Sequence, residues 1–89
     1  MEDFRLLTLL EHAAYLLEIP VRYASLATEE LEGHGGFCVV HGERRIIVER
    51  GLSDREKARL LASGLAALDV DAVYLPPAVR EAIERARAL

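Results

Sequence analysis

The sequence has a single cysteine, no tryptophan and no long apolar run. Because Cys38 has no cysteine partner, no disulfide can form within the chain, and a reducing cytoplasm is the simplest compartment. No segment approaches the ~20 apolar residues that a membrane-spanning helix needs. The acidic start, Met1–Arg5, lacks the basic flank of a signal peptide. These absences predict a cytoplasmic protein that does not enter a membrane.

Asparagine and glutamine are also absent, and arginine outnumbers lysine ten to one. Depletion of thermolabile amides is typical of proteins from heat-adapted bacteria. Codon bias in a GC-rich genome produces the same pattern, so both explanations stay open. Thermophily, if it applies, says nothing about function.

Composition and charge define the class of protein. Eighty-nine residues predict one domain, 1–89, and 52% of them are hydrophobic. A domain this small cannot hide so many apolar side chains in its own interior, which predicts a homo-oligomer or a complex with another protein. The net charge of −4 argues against nucleic-acid binding, which calls for a basic surface.

Hydrophobic periodicity and breakers predict the elements and their order. The segments are a helix over Asp3–Glu18 stopped by Pro20, a strand over Val21–Ser25, a loop over Thr28–Gly36, a hairpin of Phe37–Val40 with Arg45–Glu49, a helix from Ser53 to about Leu68, a linker or edge strand over Asp69–Leu75, and a last helix opened by Pro76 and Pro77. The Ser53-x-x-Glu56 pattern is a capping box. The result is an α+β fold whose helices pack on a small three-stranded, mostly antiparallel sheet.

Two helical segments are candidates for an interaction surface. The apolar stripe of the first helix, which includes Leu6, Leu9 and Leu16, is broad enough to be covered by the sheet on one side and a second subunit on the other. In the second helix, Ser63 and Gly64 form a low-relief patch. Glycine inside a helix costs ~1 kcal/mol relative to alanine, so we expect a compensating contact there. That contact is either tight internal packing or a surface that binds a ligand.

Three stretches resemble ImmA/IrrE-type zinc metallopeptidases, a family with a minimal zincin-like fold. They are Glu18–Tyr23 at a helix-to-strand step, Arg45–Val48 with Leu52–Ser53 before a helix, and Tyr74–Pro77 at an apolar-to-proline step. The resemblance implies a helix, a small sheet and an active-site helix in that order. It also implies roles in regulating a phage repressor or a stress response, which no other feature of the chain supports.

The chain departs from that family at the catalytic positions. The family's His-Glu-x-x-His motif binds zinc and supplies the general base. Ser63, Gly64 and Ala67 stand at the corresponding positions here, and none of them can bind zinc. Asp69 and Asp71 lie near the place of the third ligand, but carboxylates without the histidines make a poor zinc site. The resemblance therefore implies the scaffold without the chemistry, and we expect no enzymatic activity.

A second candidate constellation lies around the predicted hairpin. His34, Cys38 and His41 include two of the three histidines and the only cysteine, and these residue types bind zinc or iron. However, Cys38 and His41 point to opposite faces of a regular strand because their separation is odd. Alternatively, Cys38 is a small buried apolar residue and His41 a polar residue at the turn.

Taken together, these patterns predict a non-catalytic cytoplasmic module that needs no cofactor. We expect it to associate with itself, to engage another protein in an interaction or regulatory role, and to contact neither nucleic acid nor membrane. The alternative is a small metal-binding protein that uses His34, Cys38 and His41.

Overall fold

The chain has an α+β fold, as the sequence predicts. The computed structural model describes residues 1–25 and 35–88. Its elements are α1 (Asp3–Leu16), β1 (Val21–Ala24), β2 (Gly35–Val40), β3 (Glu43–Glu49), α2 (Asp54–Ala66) and α3 (Pro77–Arg87). Part of the predicted loop over Thr28–Gly36, including His34, lies outside the described residues.

The three strands form a mixed sheet in the order β1-β3-β2. β2 and β3 pair antiparallel, with Phe37 opposite Ile46. β1 pairs with the other edge of β3 in parallel, with Val21 opposite Ile46. The prediction of a mostly antiparallel sheet was therefore wrong for β1. A hairpin sequence reveals its own strand direction, but β1 is a short strand without a tight turn to its neighbour, so its sequence carries no direction signal.

The predicted hairpin is confirmed, and its turn is tighter than expected. Only His41 and Gly42 connect the strands, with φ angles of 53° and 79°. Positive φ at both central residues is the mark of a type I′ turn, whose twist matches that of the flanking strands. Glycine adopts this conformation freely, and histidine is one of the residues that tolerate it.

Helix α1 ends earlier than predicted. It stops at Leu16 and not at Glu18, and Pro20 is not what terminates it. The N–H of Ile19 donates to the carbonyl of Ala14 at 2.9 Å, and the N–H of Glu18 donates to that of Tyr15 at 3.0 Å. These bonds form a Schellman motif with Glu18 in the left-handed conformation, φ 60°, at the position that glycine usually occupies.

Helix α2 is the central element of the fold. Its predicted capping box is present, since Ser53 Oγ accepts from the N–H of Glu56 at 3.2 Å. The helix contacts α1, α3, β2 and β3. Helix α1 packs mainly on α2 and also on α3, although the sequence had predicted that the sheet would cover it. The fully buried side chains Leu10, Ile46, Leu61, Leu65 and Ile83 come from every layer of this arrangement.

The segment between α2 and α3 is a linker and contains no strand. The carboxylate of Asp69 accepts a bond from the N–H of Asp71 at 3.0 Å, which turns the chain locally. Arg87 near the end of α3 donates to the carbonyls of Ala66 and Leu68, both at 3.3 Å. A cation at the C-terminus of α2 satisfies carbonyls that the helix leaves unpaired. Arg87 thereby ties the end of α3 to the end of α2.

Candidate functional site

An open groove of about 1220 Å³ runs along the exposed side of α2. Its lining comes from α2, from α3 and from the start of α1, which contributes Met1, Asp3 and Leu6. From Arg55 to Ser63 the α2 side of the groove extends about 12 Å at 1.5 Å per residue, or just over two helical turns. We refer to this feature as the helical groove.

Small side chains form much of the lining of the helical groove. Alanines recur at four-residue spacing on both of its helices, and they are Ala58 and Ala62 on α2 and Ala78, Ala82 and Ala86 on α3. Side chains four residues apart lie on one face of a helix, one turn above the other. Such a surface has little relief, so another helix can approach it closely.

The charged side chains of the groove are balanced in sign. Three are basic and three are acidic, namely Arg55, Arg59, Arg85, Asp3, Glu56 and Glu81. Glu81 and Arg85 form an exposed ion pair at 2.7 Å. Glu56 belongs to the capping box of α2. Arg55 and Arg59, one turn apart, form no ion pair with any residue in the described part of the chain.

The five residues predicted for an interaction surface do not all lie together. Leu6 and Ser63 both line the helical groove. Leu9 is half-buried and packs against the core, and Leu16 is exposed near the end of α1. Gly64 is buried against β3. The contact is so close that a Cβ atom at this position would lie only 3.0 Å from Ile46 Cδ1. Of the two predicted roles for Gly64, tight packing of a helix on a sheet is the one that the structure has.

The positions that the predicted resemblance aligns with the zinc-binding motif lie on different sides of α2. Ser63 and Ala67 are exposed, whereas Gly64 faces β3 inside the domain. Ser63 opens onto the helical groove and Ala67 caps the end of the helix. The structure therefore places a hydroxyl and a methyl group at the two positions that the predicted resemblance would assign to zinc-binding histidines.

Cys38 and His41 occupy different environments in the hairpin. Cys38 is half-buried and packs with Ala24 and Ile47, on the sheet face opposite to Ile46 and therefore away from α2. His41 is exposed in the turn. Within residues 1–25 and 35–88, no three histidine, cysteine or acidic side chains converge where they could hold a metal ion. Since His34 lies outside those residues, the metal-binding alternative stays a prediction.

A polar cluster at the junction of α1, β1 and α2 was not predicted. The hydroxyl of Tyr23 donates to Glu11 Oε2 at 2.5 Å, and Lys57 Nζ lies 5.5 Å from the centre of the tyrosine ring. Burial raises the pKa of Tyr23 well above its ordinary range, and the bond to Glu11 and the charges of Glu11 and Asp54 raise it further. Because its proton is held this firmly, the phenol is a poor nucleophile or base. Its contacts with Glu11 and Lys57 join α1, β1 and α2.

The chain matches no known protein-family model, and no curated protein or solved structure is significantly similar to it. The resemblance to ImmA/IrrE-type metallopeptidases therefore stays a prediction. The helices of the described residues are too short or too polar to cross a lipid bilayer.

The sequence contains a signal for the helical groove that the sequence-based predictions above do not include. Ala78, Ala82 and Ala86 recur every fourth residue along the last helix, beside the seam of Val79 and Ile83 that enters the core. This second stripe indicated a second packed face on α3. That the stripe lies beside Ala62 of α2 depends on the tertiary packing, which the spacing does not encode.

Proposed function

We propose that this chain is a non-catalytic protein-interaction module that acts in the cytoplasm and associates with itself. The observation that carries the proposal is the helical groove, an open surface about two helical turns long with small side chains along its length. Small-molecule sites bury most of their ligand in a cleft, whereas an open surface of this length suits a helix of another protein.

Exposed apolar side chains elsewhere support an interaction role. Phe4, Tyr15 and Tyr74 are 66%, 75% and 78% exposed. A small domain that keeps large apolar groups in water lowers its free energy when a partner covers them. The acidic net charge makes a protein partner a better fit than nucleic acid or an anionic membrane. The single cysteine fits a reducing compartment.

The non-catalytic part of the proposal rests on how the reactive side chains are distributed. The half-buried cysteine lies on one sheet face, His41 lies in the turn, and His12 stacks beside Tyr15 on the surface of α1. Nucleophilic catalysis needs a nucleophile and a base within hydrogen-bonding distance, and general acid–base catalysis needs a group whose pKa suits proton transfer. Since these three side chains belong to different parts of the fold, the proposal assigns a catalytic role to none of them.

Sedimentation velocity from about 1 μM to about 1 mM protein tests self-association, since this range covers weak to moderately tight complexes. The proposal expects the mass to double or more within the range. A single 9.9 kDa species at every concentration would contradict it. Elemental analysis of tag-free protein tests the metal-binding alternative, which requires near-equimolar zinc or iron that is lost in Cys38→Ala or His41→Ala.

A further inference from the structure

We infer that the chain associates with itself through the outer edge of β2, which pairs antiparallel with β2 of a second copy about a two-fold axis at Cys38. This inference rests on the proposed self-association and specifies its surface. The two three-stranded sheets would then form one continuous sheet. The helical groove would stay free for a different protein.

The backbone of β2 has hydrogen-bonding groups that face away from β3. In an antiparallel pair, residues whose N–H and C=O face the neighbouring strand alternate with residues whose groups face away from it. Ile46 of β3 bonds away from β2, since its N–H donates to the carbonyl of Pro20 at 2.9 Å. Phe37 lies opposite Ile46, so its own N–H and C=O face outward, and those of Val39 do the same. Among the described residues, no strand pairs with this edge.

The edge of β2 lacks the side chains with which proteins commonly protect an open strand. Such strands carry charged residues or proline, or they are very short. The six residues of β2, Gly35–Val40, include no charged residue and no proline. In contrast, β1 at the opposite edge of the sheet has four residues, one of which is Arg22. The outer edge of β2 is therefore the one that favours pairing with a further strand.

A second copy of the chain supplies a strand that fits this edge. Its β2 has the same outward N–H and C=O groups, and a two-fold axis relates the two strands of an antiparallel pair, so each strand can satisfy the other. Its β2 is also already ordered within a sheet, whereas an unstructured peptide would lose conformational entropy on binding. The two copies can approach although each carries a net charge of −4, because β2 brings no like charges together.

The register follows from the regular part of β2. Gly36 has a φ angle of 137°, far from the value of about −140° that is typical of antiparallel strands. The regular part therefore begins at Phe37. Its outward groups are satisfied when Phe37 of one copy lies opposite Val39 of the other. An aromatic ring then covers Val39, which is 60% exposed, and such cross-strand pairs are stabilising. Cys38 lies between these residues and meets the second copy's Cys38 at the axis.

Oxidative cross-linking of Cys38 tests this register. The two Cys38 Cα atoms would lie about 4.5 Å apart, as in other non-hydrogen-bonded pairs, and a disulfide can bridge that distance. Dissolved oxygen with a copper–phenanthroline catalyst accepts the two electrons and two protons that the thiol pair releases. We expect a covalent dimer on a non-reducing gel.

The matched control moves the cysteine by one residue, with Val39→Cys in a Cys38→Ala background. The side chain of residue 39 is exposed and that of Cys38 is half-buried, so random collisions would cross-link the control faster. In the proposed register the two copies of residue 39 are two positions out of step, which separates their Cα atoms by roughly 8 Å, too far for a disulfide. We therefore expect the control to cross-link less than the wild-type chain.

Two substitutions of Val39 separate the backbone from the side chain. Val39→Pro removes an outward N–H and leaves the bonds between β2 and β3 in place, since an edge strand tolerates proline where its N–H faces away from the sheet. The two-fold axis repeats this loss in both copies, so we expect the dimer dissociation constant in sedimentation to rise at least about tenfold. Val39→Thr keeps the N–H and the branched shape and should change the constant by less than about threefold. Circular dichroism should show native structure in both variants.

The contrary results are distinguishable. A dimer that tolerates Val39→Pro and does not cross-link through Cys38 would place the interface elsewhere and leave self-association intact. Stronger cross-linking through residue 39 than through Cys38 would refute the register. Equal weakening by Val39→Thr and Val39→Pro would refute pairing through the backbone. A wild-type chain that stays monomeric to about 1 mM would overturn the proposed self-association as well.

Discussion

Replacing Gly64 with alanine sets helix propensity against core packing. Gly64 lies inside α2, where alanine is favoured over glycine by ~1 kcal/mol. A Cβ atom at this position would lie 3.0 Å from Ile46 Cδ1 and 3.1 Å from Ile46 Cγ1. Ordinary carbon–carbon contacts are about 3.5–4.0 Å long. The new methyl group therefore overlaps a side chain that has no exposed surface of its own.

The packing penalty should exceed the gain in helix propensity. Ile46 belongs to β3, the central strand, and pairs with β1 and β2 on its two sides. Since the strand cannot move away easily, relief must come from the isoleucine side chain. Overpacking a core by one methyl group typically costs about 1–3 kcal/mol. After the ~1 kcal/mol gain, we expect Gly64→Ala to lower the free energy of unfolding by about 1 kcal/mol.

A second substitution identifies the clash. Ile46→Val removes the Cδ1 atom and alone should cost about 1 kcal/mol through the lost burial. In the Gly64→Ala protein the same substitution also removes the closest contact of the new methyl group. The double variant should therefore be no less stable than Gly64→Ala alone, which corresponds to a coupling free energy of about 1 kcal/mol.

Urea unfolding at one fixed protein concentration measures all four proteins, because association would make stability depend on concentration. Ser63→Ala is the matched control. Its side chain is exposed on the same helix, so it should gain up to about 0.5 kcal/mol from propensity alone. The reasoning fails if Gly64→Ala stabilises the protein by the full ~1 kcal/mol and Ile46→Val costs the same in both backgrounds.

Three further predictions concern the left-handed residue that ends α1, the hydrogen bond of Tyr23 to Glu11 and the hydrogen bonds of Arg87 to the end of α2. Glu18→Gly should stabilise the protein by up to about 1 kcal/mol in chemical unfolding, because glycine adopts the left-handed conformation without strain. Tyr23→Phe should cost about 1 kcal/mol at neutral pH, since it removes the donor to Glu11. Because the pKa of Tyr23 is raised on folding, its stabilisation is present below pH 10.0, its ordinary pKa, and is lost above it. The decline in stability above that pH should be shallower in Tyr23→Phe. Arg87→Ala should lower the thermal midpoint by an amount equivalent to about 1 kcal/mol, because the carbonyls of Ala66, the last residue of α2, and Leu68 lose their donor.

Each of these has a matched control. Glu84→Gly, on the exposed face of α3, should destabilise the protein by about 1 kcal/mol and so have the opposite sign to Glu18→Gly. Tyr15→Phe, at an exposed tyrosine, should leave stability at neutral pH within about 0.5 kcal/mol of wild type. Arg5→Ala, also exposed, should do the same. If a control changes the stability by as much as its test variant does, the structural reason given for that variant is wrong.

Local patterns predicted the helices and the hairpin because each depends on neighbouring residues. The capping box starts α2, since Ser53 and Glu56 are three residues apart and reach each other's backbone. The Gly42 turn sets the hairpin. In contrast, the end of α1 depends on a Schellman motif with a glutamate at the glycine position, which no composition rule indicates.

The sequence by itself determined the α+β class, the order of elements and the need for small residues at Gly64, because periodicity, caps and turns act over a few residues. Only the tertiary structure decided that β1 runs parallel to β3, that α2 and not the sheet covers α1, and that the alanines of α2 and α3 meet in one groove. Those features join residues far apart in the chain. Their geometry depends on how the buried faces of different elements pack together, and no single segment of the sequence determines that packing.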